Sequence, residues 1–126
     1  MKKTHIAILF FLITIMVCVT NFYLIKNATQ TAENYLEEII NLKDQSEFSK
    51  ATQKCIELNK IWDKKIKILS IFIHHESLDR ITQSLKVVNA SLENESSLET
   101  SKSSISAITY LKALRESEKI SLENIF

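Results

Sequence analysis

His74, His75, Glu76 and Asp79 are the one cluster in this 126-residue chain whose types and spacing suit site chemistry. On a helix His75 and Asp79 fall on one face at i, i+4, and Glu76 lies three positions before Asp79. An imidazole with two carboxylates can hold a divalent cation or move a proton. Against this, the sequence has no HExxH and no second ligand pair, and His5 precedes the apolar segment. The plainer role is structural: Glu76 or Asp79 opens a helix, where negative charge is favoured, and His75 sits at a hinge between two helices. His75, Glu76 and Asp79 therefore stand as weak metal-ligand candidates. No catalytic residue, cofactor-binding residue or cofactor is expected.

Four other residues stand out as partner-binding candidates. Trp62 is the lone tryptophan and falls on an apolar stripe, which suits either a core or a hot spot. Phe72 belongs to IKILSIFI (66–73), a run apolar on more than one face that suits a packed centre, a partner helix or a membrane surface. Ile125 and Phe126 close the ending ISLENIF, apolar where termini are usually polar, and fit either a groove of the bundle or a partner. Ser96, Ser97, Ser101, Ser103, Ser104 and Ser106 have no base in a nucleophile motif and read as helix-start and solvated-face residues.

The elements that hold these residues follow from composition. The chain has no glycine and no proline, where average usage predicts about fifteen such residues. Glycine-rich phosphate loops, dinucleotide fingerprints, nucleophile elbows and EF-hand loops are thereby excluded. Tight-turned all-β folds are disfavoured for the same reason. Cys18 and Cys55 lack CxxC spacing and argue against a structural metal or a disulfide scaffold. Setting aside Lys2, Lys3 and Lys26 leaves 13 basic against 15 acidic residues in 27–126, a net −2. No basic patch interleaves with aromatics, so no nucleic-acid partner is expected.

Ile6 to Ile25 is a run of twenty uncharged residues, about 30 Å as a helix and enough to cross a bilayer core. Lys2 and Lys3 before it and Lys26 after it favour a cytoplasmic N-terminus and an extracytoplasmic C-terminal part. The organisation expected is a cytoplasmic 1–5, a transmembrane anchor 6–25 and an extracytoplasmic helical bundle 26–126. Secretion after signal-peptide cleavage is the alternative, although neither Cys18–Thr20 nor Lys26–Ala28 makes a good cleavage site.

Beyond the anchor, apolar residues recur at helical spacing. Ala28, Ala32, Tyr35, Ile39 and Leu42 continue the first helix unbroken to about Lys43. A second stripe runs Phe48, Ala51, Cys55, Leu58, Trp62, Ile66, Leu69, Ile73, and a third runs Leu78, Ile81, Leu85, Val88, Leu92. The last includes Leu98, Ile105, Ile108, Leu111 and Leu114. Breaks are expected at Asp44–Ser46, His74–Ser77 and Asn94–Ser97, with Asp44/Glu47 and Ser96/Glu99 at capping-box spacing. Short connections make antiparallel neighbours, so the expected fold is all-α: the transmembrane helix continuing into an antiparallel bundle of about four helices.

WDKKIKILSIFIHHESLDRITQSL and ISLENIF carry a resemblance. The N-terminal apolar helix, the Trp-bearing amphipathic helix, the step His75, Glu76, Asp79 and the ending Asn124, Ile125, Phe126 resemble a family of small uncharacterised proteins of Gram-positive, mostly spore-forming bacteria, catalogued as a domain of unknown function. His74 stands where that pattern has an acidic or polar residue. The resemblance implies a membrane-anchored helical protein on the extracytoplasmic side and brings no activity. The function expected is a structural or interaction module of the bacterial envelope, not an enzyme, whose partners are the membrane and another protein or a second copy. The alternative is a sensor or ligand-binding domain around His75, Glu76 and Asp79, working with a partner membrane protein.

Overall fold

A computed structural model describes residues 1–125, with Ile125 described by its backbone only. It contains four helices: α1 (Lys2–Asp44), α2 (Phe48–Leu69), α3 (His75–Glu93) and α4 (Ser97–Ile125). The described residues form no strand. α1 is a single helix of 43 residues, about 65 Å long, because nothing between the apolar segment and Lys43 interrupts it.

Antiparallel register is fixed by pairs across each seam. Lys54 pairs with Glu38 at 3.0 Å and Lys65 Nζ donates to Asn27 Oδ1 at 3.0 Å, which lays α2 back along α1. Trp62 Nε1 donates to Thr82 Oγ1 at 2.9 Å between α2 and α3. The Ser91 and Thr100 hydroxyls lie 2.9 Å apart where α3 turns into α4. Arg115 reaches Glu33 at 2.7 Å, closing α4 onto α1. Each helix thus touches two neighbours in a four-sided ring.

The core is built from the expected stripes of α2 and α3: Ala51, Cys55, Leu58, Trp62 and Leu69 face Leu78, Ile81, Leu85, Val88 and Leu92. On α1 the buried residues are Ile25, Ala28, Thr29, Ala32, Glu33, Leu36, Ile39 and Lys43. Ile25, 0% exposed, shows that packing begins inside the apolar run, not after it. The α4 stripe departs from expectation. Leu98 and Ile105 face outward, while Thr100, Ser103, Ser104, Ala107, Leu111 and Leu114 face inward. Small hydroxylated residues can be buried because their oxygens bond to their own helix: Ser103 Oγ donates to Glu99 O at 2.7 Å and Thr100 Oγ1 to Ser96 O at 2.8 Å. Ser103 and Ser104 are packing residues rather than a solvated face, and the buried Ser104 Oγ has no hydrogen-bond partner.

Two of the connections end their helices in the same way. Ser46 N–H donates to Lys43 O and Glu47 N–H to Leu42 O, both at 2.9 Å. Glu95 N–H donates to Leu92 O at 3.0 Å and Ser96 N–H to Ser91 O at 2.9 Å. This is the Schellman pattern, which requires a left-handed residue, and Ser46 (φ 61°) and Glu95 (φ 52°) supply it without glycine. The expected Asp44/Glu47 box does not form, because Asp44 ends α1 and Glu47 stands at the α2 N-cap with no side-chain bond. At Ser96 half of the box forms, with Glu99 N–H on Ser96 Oγ at 3.4 Å. The third connection, Ser70–His74, differs. Phe72 and Ile73 N–H groups both bond to Leu69 O at 3.0 Å, Ile73 turns inward, and Ile71 is left 73% exposed.

Candidate functional site

His75 is the first residue of α3, after the N-cap residue His74, and both imidazoles are exposed. Glu76 lies in the first turn and pairs with Arg80 at 3.0 Å, the i, i+4 ion pair of a solvated helix face. Asp79 is exposed on the same helix. Glu76, Asp79 and Arg80 line one end of an open groove of about 660 Å³ between α3 and α4, walled by Gln83, Val87 and Tyr110. His75 is not among its lining residues. Among the described residues no three His, Cys, Asp or Glu side chains are grouped to hold a metal ion. Arg80, already bonded to Glu76, adds a positive charge where a cation would bind.

Trp62 is 1% exposed and its indole N–H is satisfied by Thr82, whose hydroxyl passes its own hydrogen to Leu78 O at 3.0 Å. It sits in the core, one of the two places the sequence allowed, where it joins α2 to α3. Phe72 is 47% exposed and stands beside the apolar helix, sharing a hollow of about 300 Å³ with Ile13, Met16, Val17, Asn21 and Leu24. Phe126 lies outside the described residues, as does the side chain of Ile125. The preceding turn of the tail packs on α1, where Leu122, Ser121 and Glu118 share a small hollow with Cys18, Asn21 and Phe22.

Two polar groups not singled out from sequence matter more to the assembly. Arg115 donates from Nη1 to Glu33 Oε2 at 2.7 Å and to Thr29 Oγ1 at 3.3 Å, with both charged side chains largely covered. Glu33 and Arg115 each adjoin an apolar stripe, and that was the available signal. At the other end of the same seam, buried Lys43 donates to Ser101 Oγ and pairs with Asp44 at 2.6 Å. Burial pushes the Cys55 thiol up to about 12, so it stays neutral. Burial against the α1 helix also raises the Glu118 carboxyl above its ordinary value.

The arrangement packs four helices and leaves an open groove between α3 and α4 with charged residues at one end. A family model described as a domain of unknown function (DUF4363) matches residues 18–125. The match begins where α4 first reaches α1, at Cys18, and includes all of α2 and α3. No curated protein and no solved structure matches the chain.

Proposed function

The chain belongs to the DUF4363 family, and on that premise we propose that it is a single-pass protein of a bacterial envelope that works by association. Its N-terminus is cytoplasmic, α1 crosses the membrane, and the bundle stands outside as a binding or structural module for another envelope protein or a second copy. One observation carries this reading. α1 runs without a break from exposed apolar residues, Ile6 to Val17, into the bundle core at Ile25. A helix so apolar and so uncovered is suited to lipid, being long enough to span it. Lys2 and Lys3 support the orientation by the positive-inside rule. The burial of Ile25 argues against a cut after Ala28, which would pull a core residue out of the bundle.

Association is supported by outward apolar residues on the bundle, Leu98 and Ile105 on α4 and Val87 on α3. Cross-linking in native membranes is expected to trap the chain in a larger adduct. Recovery of the monomer alone contradicts the proposal. For topology, protease added outside intact protoplasts is expected to remove a C-terminal epitope and spare an N-terminal one.

The groove gives a specific reason to keep a second reading, a ligand-sensing domain coupled to a partner. Glu76, Asp79 and Arg80 at its mouth could meet a polar ligand or a cation, with His75 near by in sequence. Divalent cations added to the detergent-solubilised full chain should then raise its Tm, and Asp79→Asn should abolish the rise. An unchanged Tm removes this reading for cations.

A further inference from the structure

We infer that the base of the bundle is itself a membrane-contact surface, sunk into the leaflet from which α1 emerges. The inference rests on the anchor reading and adds to it which bundle residues meet lipid. Length decides it. The part of the apolar run that α4 does not reach, Ile6 to Val17, is twelve residues, about 18 Å of helix, against a hydrocarbon thickness of about 30 Å. The missing distance of about 12 Å is eight residues of helix, Cys18 to Ile25. Of those eight residues Cys18, Phe22, Leu24 and Ile25 have protein packed on them, while Val19, Thr20 and Tyr23 are exposed. Leu122 of α4 shares a hollow with Cys18 and Phe22, Phe72 shares one with Val17 and Leu24, and Ile68 of α2 shares one with Leu24 and Ala28. For α1 to fill the bilayer, these neighbours must enter it too. Tilting the helix only deepens the immersion.

The residues at this level suit that place. Ile71, Phe72, Ile68, Tyr23 and Ile120 come from the α2–α3 connection, α2, α1 and α4, and each is exposed although large and apolar, while His74, His75 and Glu118 are the polar groups that must stay at the headgroup level. In water such a surface would be costly to leave open, at about 25 cal/mol for each Å². In lipid it is a gain. Lys26, Lys67 and Lys119 are exposed beside these residues in sequence and are placed to reach headgroup phosphates while their stems lie along apolar surface. The polypeptide connection can enter because the Ser70, Ile71, Phe72 and Ile73 amides remain bonded to the Ile66, Ile68 and Leu69 carbonyls.

The test uses the full chain with Cys18→Ser, reconstituted into phosphatidylcholine–phosphatidylglycerol vesicles at low protein-to-lipid ratio. Single cysteines replace Ile71, Phe72, Phe10 and Glu57, each labelled with an environment-sensitive fluorophore. Native Cys55 is buried and stays unlabelled. Labels at 71 and 72 are expected to show blue-shifted emission and quenching by nitroxide-bearing lipid, as at 10, while the label at 57 stays water-exposed and unquenched. Aqueous emission at 71 and 72 with quenching at 10 overturns the inference and leaves the anchor standing. Absence of quenching at 10 overturns the anchor and the inference together. Labels at 71 and 72 shielded from both lipid and aqueous quenchers mean a protein covers the base, which also overturns it.

Discussion

The two ends of the bundle solve the same problem with opposite chemistry. At the far end α1 passes to α2 and α3 to α4 through polar turns, each closed by two backbone bonds around a left-handed residue, Ser46 or Glu95. Lys43 and Ser101 join the two turns' helices across the end. The amides of both turns are satisfied locally. At the base, α2 passes to α3 through Ile71 and Phe72, while α1 leaves the bundle as bare apolar helix. That end leaves large apolar side chains exposed. The difference teaches where the protein is finished and where it expects a neighbour.

The largest effect is expected where α1 enters the bundle. Ile25→Ala should cost about 2–5 kcal/mol of unfolding free energy, since it empties a fully buried site, whereas Phe10→Ala should leave bundle stability unchanged. Denaturant unfolding in detergent, followed by Trp62 emission, compares the two. Equal effects would erase the distinction between the free and packed parts of α1.

Next comes the charge pair between the ends. Glu33→Ala is expected to cost about 2–4 kcal/mol, somewhat less than a fully buried pair because Arg115 keeps 22% of its side chain exposed. Replacing both partners by apolar residues of similar size should recover much of the loss. A double variant as weak as the single one would show that the pair itself, not the orphaned charge, matters.

A smaller effect of opposite sign is expected at the far end. Ser46→Gly and Glu95→Gly should each stabilise the bundle by about 1 kcal/mol, because both positions hold a left-handed backbone that glycine adopts freely. Smallest is the base carboxylate. Glu118 is raised above 4.5 by burial, so above that pH the fold carries the cost of a poorly solvated charge, and acid relieves it. Glu118→Gln should therefore raise Tm at neutral pH, by an equivalent of less than about 1 kcal/mol, and the gain should fade as pH drops below 4.5.

Much of the fold was legible in the sequence because α2 and α3 bury apolar residues and expose polar ones, so periodicity alone located Cys55, Leu58, Trp62, Leu78, Ile81 and Leu85. The unbroken α1 was legible from the missing glycine and proline. α4 was not, since its inward face begins with Thr100, Ser103 and Ser104, small hydroxylated residues that read as polar surface although the Thr100 and Ser103 hydroxyls are satisfied within the helix. Its outward Leu98 and Ile105 then set the stripe in the wrong phase. At the candidate site, spacing placed Glu76 in the first turn of a helix, but a groove needs the neighbouring helix, and Tyr110 is thirty-one residues beyond Asp79. The Glu33–Arg115 pair is further apart still, 82 residues along the chain, and only the closure of α4 onto α1 joins it.

All of this depends on α1 being one rigid rod that carries the bundle on a membrane-crossing shaft. Spin labels at Phe10 and Glu37, both exposed on α1 and twenty-seven residues apart, measure that rod directly in reconstituted vesicles. Pulsed electron resonance is expected to return one narrow distance near 40 Å, the rise of a continuous helix. A broad distribution, or a clearly shorter distance, would mean a break between membrane and bundle and would contradict the account.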